Sequence, residues 1–297
     1  LSSPMALSAQ RAEAPLRPRA ADQGTLAPHA IPIAAVIGDQ QSALYGQGAV
    51  ESGDSKATYG TGAFLLMNTG DTMVPSENRL LTTAALGPAG EPAYALEGSV
   101  FIAGAAVQWL RDGLKLVRKA SDTYAEARAS LAKNKDRTQP YVVPAFVGLG
   151  APHWDAKARG AIVGITRGTT RADIIRATLD SIAYQVRDVI VAMESDTGHP
   201  MSELRADGGA TANRYLMQFQ ADILGKPVRR AKIAERTAMG AAMLAGLAMG
   251  VWKSPGEMHA IVKGADVFKP KMQTAERERL LAGWHDAVSR TLTKPSD

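Results

Sequence analysis

The chain contains no cysteine. That excludes disulfide frameworks, thiolate zinc sites and cysteine nucleophiles together, and it is compatible with a reducing compartment. Long apolar runs are missing too. Nothing approaches the roughly 18 residues of a membrane-spanning helix, and the N-terminus lacks the apolar core of a secretory signal. The expectation is a cytoplasmic protein with no membrane insertion. Histidine is scarce: His29, His153, His199, His259 and His285 lie far apart, and no two share a helical spacing that suits a metal ion. No protein-held metal site is expected. The net charge is +5, yet the one basic cluster, Arg229, Arg230 and Lys232, has no aromatic residue interleaved. Many other cations have acidic neighbours, as in Glu276-Arg277-Glu278-Arg279. A nucleic-acid surface is not expected.

What is present is the composition of a soluble globular protein, 45% apolar and 21% charged over 297 residues. Residues 1–30 carry Pro4, Pro15, Pro18 and Pro28 among Ala and Arg without periodicity, and they read as an irregular or disordered segment. The apolar run from Ile31 to Ile37 predicts a buried strand with Asp39 just beyond its carboxyl end, where open α/β sheets place reacting groups. Ala57 to Asn68 predicts a β-hairpin. Its Gly60-Thr61-Gly62 tip can bring backbone N–H groups and a hydroxyl to a phosphate. Further strands are predicted at Leu80–Leu86 and Ala93–Leu96, giving an antiparallel-rich opening.

Ile102 to Arg118 predicts a helix with Val107, Leu110, Leu114 and Val117 on one stripe, and Ser121 stands where it would cap the next. Short strands at Tyr141–Val143 and Ala161–Ile165 flank the loop Gly148–Asp155. The longest amphipathic helix follows: Thr170 and Asp173 form a capping-box pattern, Ile175, Leu179, Ile182, Val186, Val189 and Met193 share a face, and Gly198 ends it. Leu204–Ala206 predicts a strand running through Asp207-Gly208-Gly209-Ala210 into a helix from about Ala212 to Leu224. Strand, glycine turn and helix N-terminus together make an anion site. Helices are also predicted at Thr237–Val251, built of small residues, and Thr274–Leu292, with Leu281, Trp284 and Val288 on one side.

The motifs Gly38-Asp39-Gln40-Gln41, Tyr59-Gly60-Thr61-Gly62, Leu96-Glu97-Gly98, Gln108-Trp109-Leu110-Arg111-Asp112, Pro144-Ala145-Phe146, Gly148-Leu149-Gly150-Ala151-Pro152, Ala158-Arg159-Gly160 and Asp207-Gly208-Gly209 followed by Asn213 form a set. That set resembles the C-terminal half of the glycerol kinases, a branch of the FGGY carbohydrate kinases. The resemblance runs from about Ile31 to Trp252. Gly160–Asp180 resembles the general FGGY signature, whereas the loop with Trp154 resembles glycerol kinases in particular.

The resemblance implies an α/β fold of the ribonuclease-H-like, actin and hexokinase type, a mixed sheet flanked by helices, as the second of the family's two domains. It implies a nucleotide-binding domain over 31–265, a helical tail over 266–297, and no N-terminal domain in this chain. It also implies ATP-dependent phosphorylation of glycerol with Mg²⁺, the partners being glycerol and ATP, with homo-oligomers (dimer or tetramer) left open. By the same resemblance Asp39 is the general base, Gln40 binds another hydroxyl and Phe64 packs on the carbon skeleton. Thr61 contacts the terminal phosphates with Gly104 and Gln108 nearby, while Gly209, Ala210 and Asn213 hold the nucleotide. Read from the residues alone, Phe64 fits a core position, Gln108 an exposed helix position and Asn213 a helix cap. Two further readings stand beside this one: another FGGY polyol or sugar kinase, and a non-catalytic nucleotide-binding module on the same fold.

Overall fold

The computed structural model describes residues 32–133, 140–232, 235–254, 257 and 265–293. Backbone contacts divide the chain into two units, Leu1–Ile33 and Ala34–Asp297. The first unit falls almost wholly outside the described residues, and with it the irregular character expected of residues 1–30; the fold below is that of the second.

Its framework is a seven-stranded mixed sheet that runs from Leu81–Leu86 at one edge through Pro92–Val100, Ala63–Gly70, Ser55–Tyr59, Leu204–Asp207 and Val228–Ala231 to Ala265–Phe268 at the other. The strands are β1 (Ser55–Tyr59), β2 (Ala63–Gly70), β3 (Leu81–Leu86), β4 (Pro92–Val100), β7 (Leu204–Asp207), β8 (Val228–Ala231) and β9 (Ala265–Phe268). β1 to β4 pair antiparallel, β7 adds parallel to β1 and β8 to β7, and β9 closes the edge antiparallel. A two-stranded sheet, β5 (Tyr141–Val143) with β6 (Ala161–Val163), lies apart. The helices are α1 (Asp39–Gly46), α2 (Gly104–Gln108), α3 (Asp122–Lys133), α4 (Arg171–Thr197), α5 (Arg214–Leu224), α6 (Arg236–Ala248) and α7 (Thr274–Ser289).

Strand alternation sorts the sheet into two faces. On one, Ala57, Tyr59, Leu65, Met67, Leu96 and Ala206 join the main core with α4, α5 and α7. Gly98 belongs to this face because a Cβ there would stand 2.4 Å from the Val189 side chain of α4. On the other face Leu66, Ala93 and Ala95 pack with Leu44 of α1, and α1 packs on α6. The glycines at that helix crossing are needed for contact: a Cβ on Gly240 would meet the Ser42 backbone oxygen at 1.9 Å.

The long helix is as the sequence predicts. Thr170 and Asp173 form the capping box, all six predicted apolar residues are buried, and Gly198 caps it in the left-handed conformation at φ 69°. The hairpin, the third and fourth strands and the strand into the glycine turn also stand where predicted.

Two elements differ. Residues 32–38 form no strand, and Ile33 and Val36 are 87% and 91% exposed. An apolar run becomes a strand only where a neighbour completes its hydrogen bonds, and no described strand lies beside this one. Asp39 therefore begins α1 instead of following a strand. The helix predicted over Ile102–Arg118 stops early. Its second half, Trp109–Gly113, is a π-helical turn in which Leu114 N–H reaches back to Trp109 O at 2.9 Å. Lys115 then adopts φ 55° and the chain leaves the helix axis. Val107, Leu110 and Val117 are buried as expected, but Leu114 is turned out to solvent.

Candidate active site

At the carboxyl ends of β1 and β7 the sheet opens onto a cavity of 610 Å³. Its floor is the β1–β2 hairpin tip, Gly60-Thr61-Gly62. The Gly60 and Thr61 carbonyls accept hydrogen bonds from Gly104 N–H at 2.9 Å and from Ala103 and Ala105 N–H at 2.9 and 3.0 Å, so α2 is fastened to the tip by its first turn. Gly104 permits this approach, since a Cβ would lie 2.5 Å from Gly60 O. The tip carbonyls are thereby turned into the protein. Thr61 stays exposed at the cavity.

The opposite wall grows from the glycine turn after β7. Gly208 sits at φ 90° with its Cα hydrogens against the Tyr59 backbone, and Gly209–Ala212 make one 3₁₀ turn. Asn213 then caps α5, its Oδ1 accepting from Tyr215 and Leu216 N–H. A Cβ on Gly209 would meet no heavy atom within 4 Å, because that position faces the open cavity. Ser121, Thr123 and Tyr124 of the α3 region form the third side, and Asn213 Nδ2 donates to Thr123 Oγ1 at 3.0 Å.

The structure thus brings together Thr61, Gly104, Gln108, Gly209, Ala210 and Asn213 around one cavity. It adds residues that sequence reasoning missed. Arg111 and Arg214 supply positive charge, while Tyr59, Val107, Leu179 and Leu216 supply apolar surface. Arg111 holds Asp112 in a bidentate pair at 2.7 Å, and Arg214 stacks over Phe268 at 5.3 Å. The only sequence signal for Arg214 is its place directly after the cap residue.

Asp39, Gln40 and Phe64 do not line this cavity. They belong with the sheet face that α1 covers, where β1 and β2 present Lys56, Thr58 and Phe64. Asp39 is exposed and its Oδ1 accepts from Gln40 N–H at 2.8 Å; Phe64 is 39% exposed. Lys56, which sequence reasoning did not select, is fully buried and donates from Nζ to Gln40 Oε1 and, at 3.1 Å, to Thr58 Oγ1. Burial pushes its ammonium down to about 8 against the opposing pull of Asp207, Glu97 and Asp39. Burial likewise raises Glu97 and Asp207; Lys56 opposes both shifts, and Thr58 and Arg236 also oppose that of Asp207.

The Gly148–Asp155 loop closes on itself through paired backbone bonds between Leu149 and Asp155 at 2.9 and 3.1 Å. Trp154 at its end packs edge-on against Phe101, the residue after β4, and not against Phe64. Asp155 accepts from the backbone N–H and the hydroxyl of Thr293 and from Lys157 and Ala158 N–H, which together pull its carboxyl down to about 2.

Comparison with known proteins gives this geometry a family. The C-terminal domain model of the FGGY family of carbohydrate kinases matches residues 55–249. A glycerol kinase of Symbiobacterium thermophilum is 60% identical over 264 residues, 88% of this chain and 52% of that protein. One from Listeria monocytogenes is 57% identical over 258 residues, 87% of this chain and 51% of that protein. The crystal structure of Plasmodium falciparum glycerol kinase with ADP superposes with a TM-score of 0.80 at 40% identity, covering 87% of this chain and 51% of that chain. This chain therefore spans about half the length of the curated relatives it matches. The mixed sheet flanked by helices is the actin and hexokinase type of fold that the motifs implied. The chain belongs to the FGGY family of carbohydrate kinases, and what it matches there is the family's C-terminal domain.

Proposed function

We propose that this chain is the nucleotide-binding half of an ATP-dependent glycerol kinase, acting in the cytoplasm to form glycerol 3-phosphate and ADP. One observation carries the reading. A Gly-Thr-Gly hairpin tip and a glycine turn with a capped helix converge on one 610 Å³ cavity, in a chain 60% identical to a glycerol kinase over 264 residues. The cavity takes the nucleotide: Gly209 leaves room for it against the backbone, Asn213 and Thr123 shape the wall, and Arg111 and Arg214 meet its charge. Thr61 at the tip faces the terminal phosphates.

Phosphoryl transfer asks little covalent chemistry of a protein beyond position and charge. A terminal hydroxyl of glycerol gives its proton to Asp39 as its oxygen bonds to the γ-phosphorus and the bond to the β-phosphate oxygen breaks, releasing ADP. Gln40 holds a second hydroxyl and Phe64 packs against carbon. Among the described residues no three acidic or histidine side chains gather to hold a metal ion. Mg²⁺ keeps several waters and binds mainly to substrate phosphates, and the Thr61 hydroxyl at the tip would be the side-chain oxygen near it. The ion would neutralise phosphate charge.

The apolar surface of Phe64 suits a three-carbon polyol better than a larger sugar, which needs more polar partners. The test is ADP release by the full polypeptide that carries this chain, with glycerol compared against xylulose and gluconate. Glycerol-dependent turnover at ~1–100 s⁻¹, the usual kinase range, supports the reading. A preference for either sugar, or no turnover with any of them, overturns it.

A further inference from the structure

We propose that Lys56 is a positioning residue for the polyol: its buried ammonium locks the Gln40 carboxamide with Oε1 inward, so that Gln40 meets substrate only as a donor, beside Asp39. The inference deepens the glycerol kinase reading and rests on it for the identity of the substrate.

Lys56 is the second residue of β1, is wholly inaccessible to solvent and points to the face shared with Thr58 and Phe64. A buried ammonium is costly unless it is paired. The charges that offset this one come from three elements: Asp207 at the end of β7, Glu97 on β4 and Asp39 at the start of α1. Yet the atoms it bonds directly are neutral, Gln40 Oε1 and Thr58 Oγ1. A lysine kept only to neutralise carboxylates would bond one of them. This one grips a carboxamide.

Chemistry settles which way that carboxamide faces. An ammonium has three donors and no acceptor, so the atom of Gln40 turned toward it is the oxygen, and the two N–H bonds of Nε2 point away. Asp39, next in sequence and exposed, is an acceptor when ionised. The two neighbours therefore read a pair of hydroxyls in opposite senses. One hydroxyl gives its proton to Asp39, and the other offers its oxygen to Gln40. Without Lys56 the amide is free to turn over and present its oxygen instead, which costs the second contact.

The test compares Lys56→Met, Lys56→Arg, Gln40→Leu and the double variant Lys56→Met with Gln40→Leu in the full polypeptide. For Lys56→Met, kcat/KM for glycerol should fall roughly 10- to 100-fold, the scale of a hydrogen bond to a charged group, with the KM for ATP within about threefold. Lys56→Arg should recover part of the loss. If Lys56 acts through Gln40, the double variant should match Gln40→Leu alone, and additive losses overturn the proposal. Of 1,2-propanediol and 1,3-propanediol, the one lacking the hydroxyl that Gln40 holds should show no penalty in Lys56→Met; equal penalties with both overturn it. Should the wild type leave glycerol untouched, the functional reading fails, but the lock is still tested on the 297-residue chain itself. Selective labelling should show a coupling through the hydrogen bond between Lys56 Nζ and Gln40 Cδ, and its absence overturns the lock whatever the substrate. The same measurement decides the case if Lys56→Met does not fold.

Discussion

Asn213 commits both ends of its amide to the protein: Oδ1 accepts from Tyr215 N–H at 3.0 Å and Leu216 N–H at 3.2 Å, while Nδ2 donates to Thr123 Oγ1 at 3.0 Å. The residue is a helix cap, as its chemistry alone suggests, and at the same time a strut between two walls of the cavity. On the proposed reading, its contribution to nucleotide binding passes through the shape of those walls.

Asn213→Ala should therefore cost about 1 kcal/mol of stability, the usual effect of losing a cap, and should also weaken nucleotide binding as the α3 wall loosens. Asn213→Asp separates the two effects. Its carboxylate keeps the cap acceptor, but the Thr123 hydroxyl already donates to Ala120 O at 2.6 Å, so lone pairs would face each other across the strut. Urea unfolding should show stability recovered in Asn213→Asp while ADP titration does not. Full recovery of both would mean that the strut is idle.

The adjacent glycines of the turn should respond in opposite ways. At Gly208, φ is 90° and a Cβ would lie 2.5 Å from Tyr59 O, so Gly208→Ala should destabilise the fold by about 1–3 kcal/mol. At Gly209 a Cβ meets nothing within 4 Å. Gly209→Val should fold with a stability change of about 0.5 kcal/mol or less, as at an uncrowded surface position, yet weaken ATP binding by filling the cavity. An unchanged ATP titration in folded Gly209→Val would remove this cavity from the nucleotide site.

Much of this was legible in the sequence because local signals and global fold agree. The capping box at Thr170 and the six-residue apolar face marked α4, and a Gly-Thr-Gly tip between two strand-like runs marked the hairpin. Six of the expected site residues met at one cavity because each stands at an element end that the sheet topology gathers. What failed depended on distant partners. Ile33 and Val36 have the side chains of a strand but no described neighbour to pair with. The stripe through Leu114 has helical period, but a π-helical turn shifts the register after Trp109, and periodicity carries no trace of a widened turn. Lys56 was invisible for a related reason: the groups that surround its ammonium, Gln40 and Asp39 on α1, Glu97 on β4 and Asp207 on β7, come from separate elements.

Asp39→Asn should lower kcat at least ~10²-fold, the scale of a lost general base, with ATP affinity little changed because Asp39 does not line the cavity proposed for the nucleotide. Steady-state kinetics with glycerol and ATP varied separately will show the split. Near-normal turnover would exclude Asp39 from proton transfer.

Stability should peak in mildly alkaline solution, and two sets of buried groups give the sign. The Lys56 ammonium is pushed down to about 8 by burial, whereas in the unfolded chain a lysine holds its proton to about 10.4. Between those values the unfolded state binds more protons, so stability rises with pH, by up to about 3 kcal/mol from this residue. Tyr59, Tyr45 and Tyr141 act the other way. Burial raises all three phenols, and Tyr59 also donates to Gln220 Oε1 at 2.8 Å inside the core. Above about pH 10 an unfolded tyrosine ionises ahead of these raised phenols, so the unfolded state gains and stability falls. Urea unfolding followed by fluorescence from pH 7 to 11 should show a rise, a maximum between about 8 and 10, then a decline. In Lys56→Met the rise should vanish and the decline remain. A wild-type profile that falls steadily from pH 7, or an identical rise in Lys56→Met, would show that the buried ammonium is not the group that titrates.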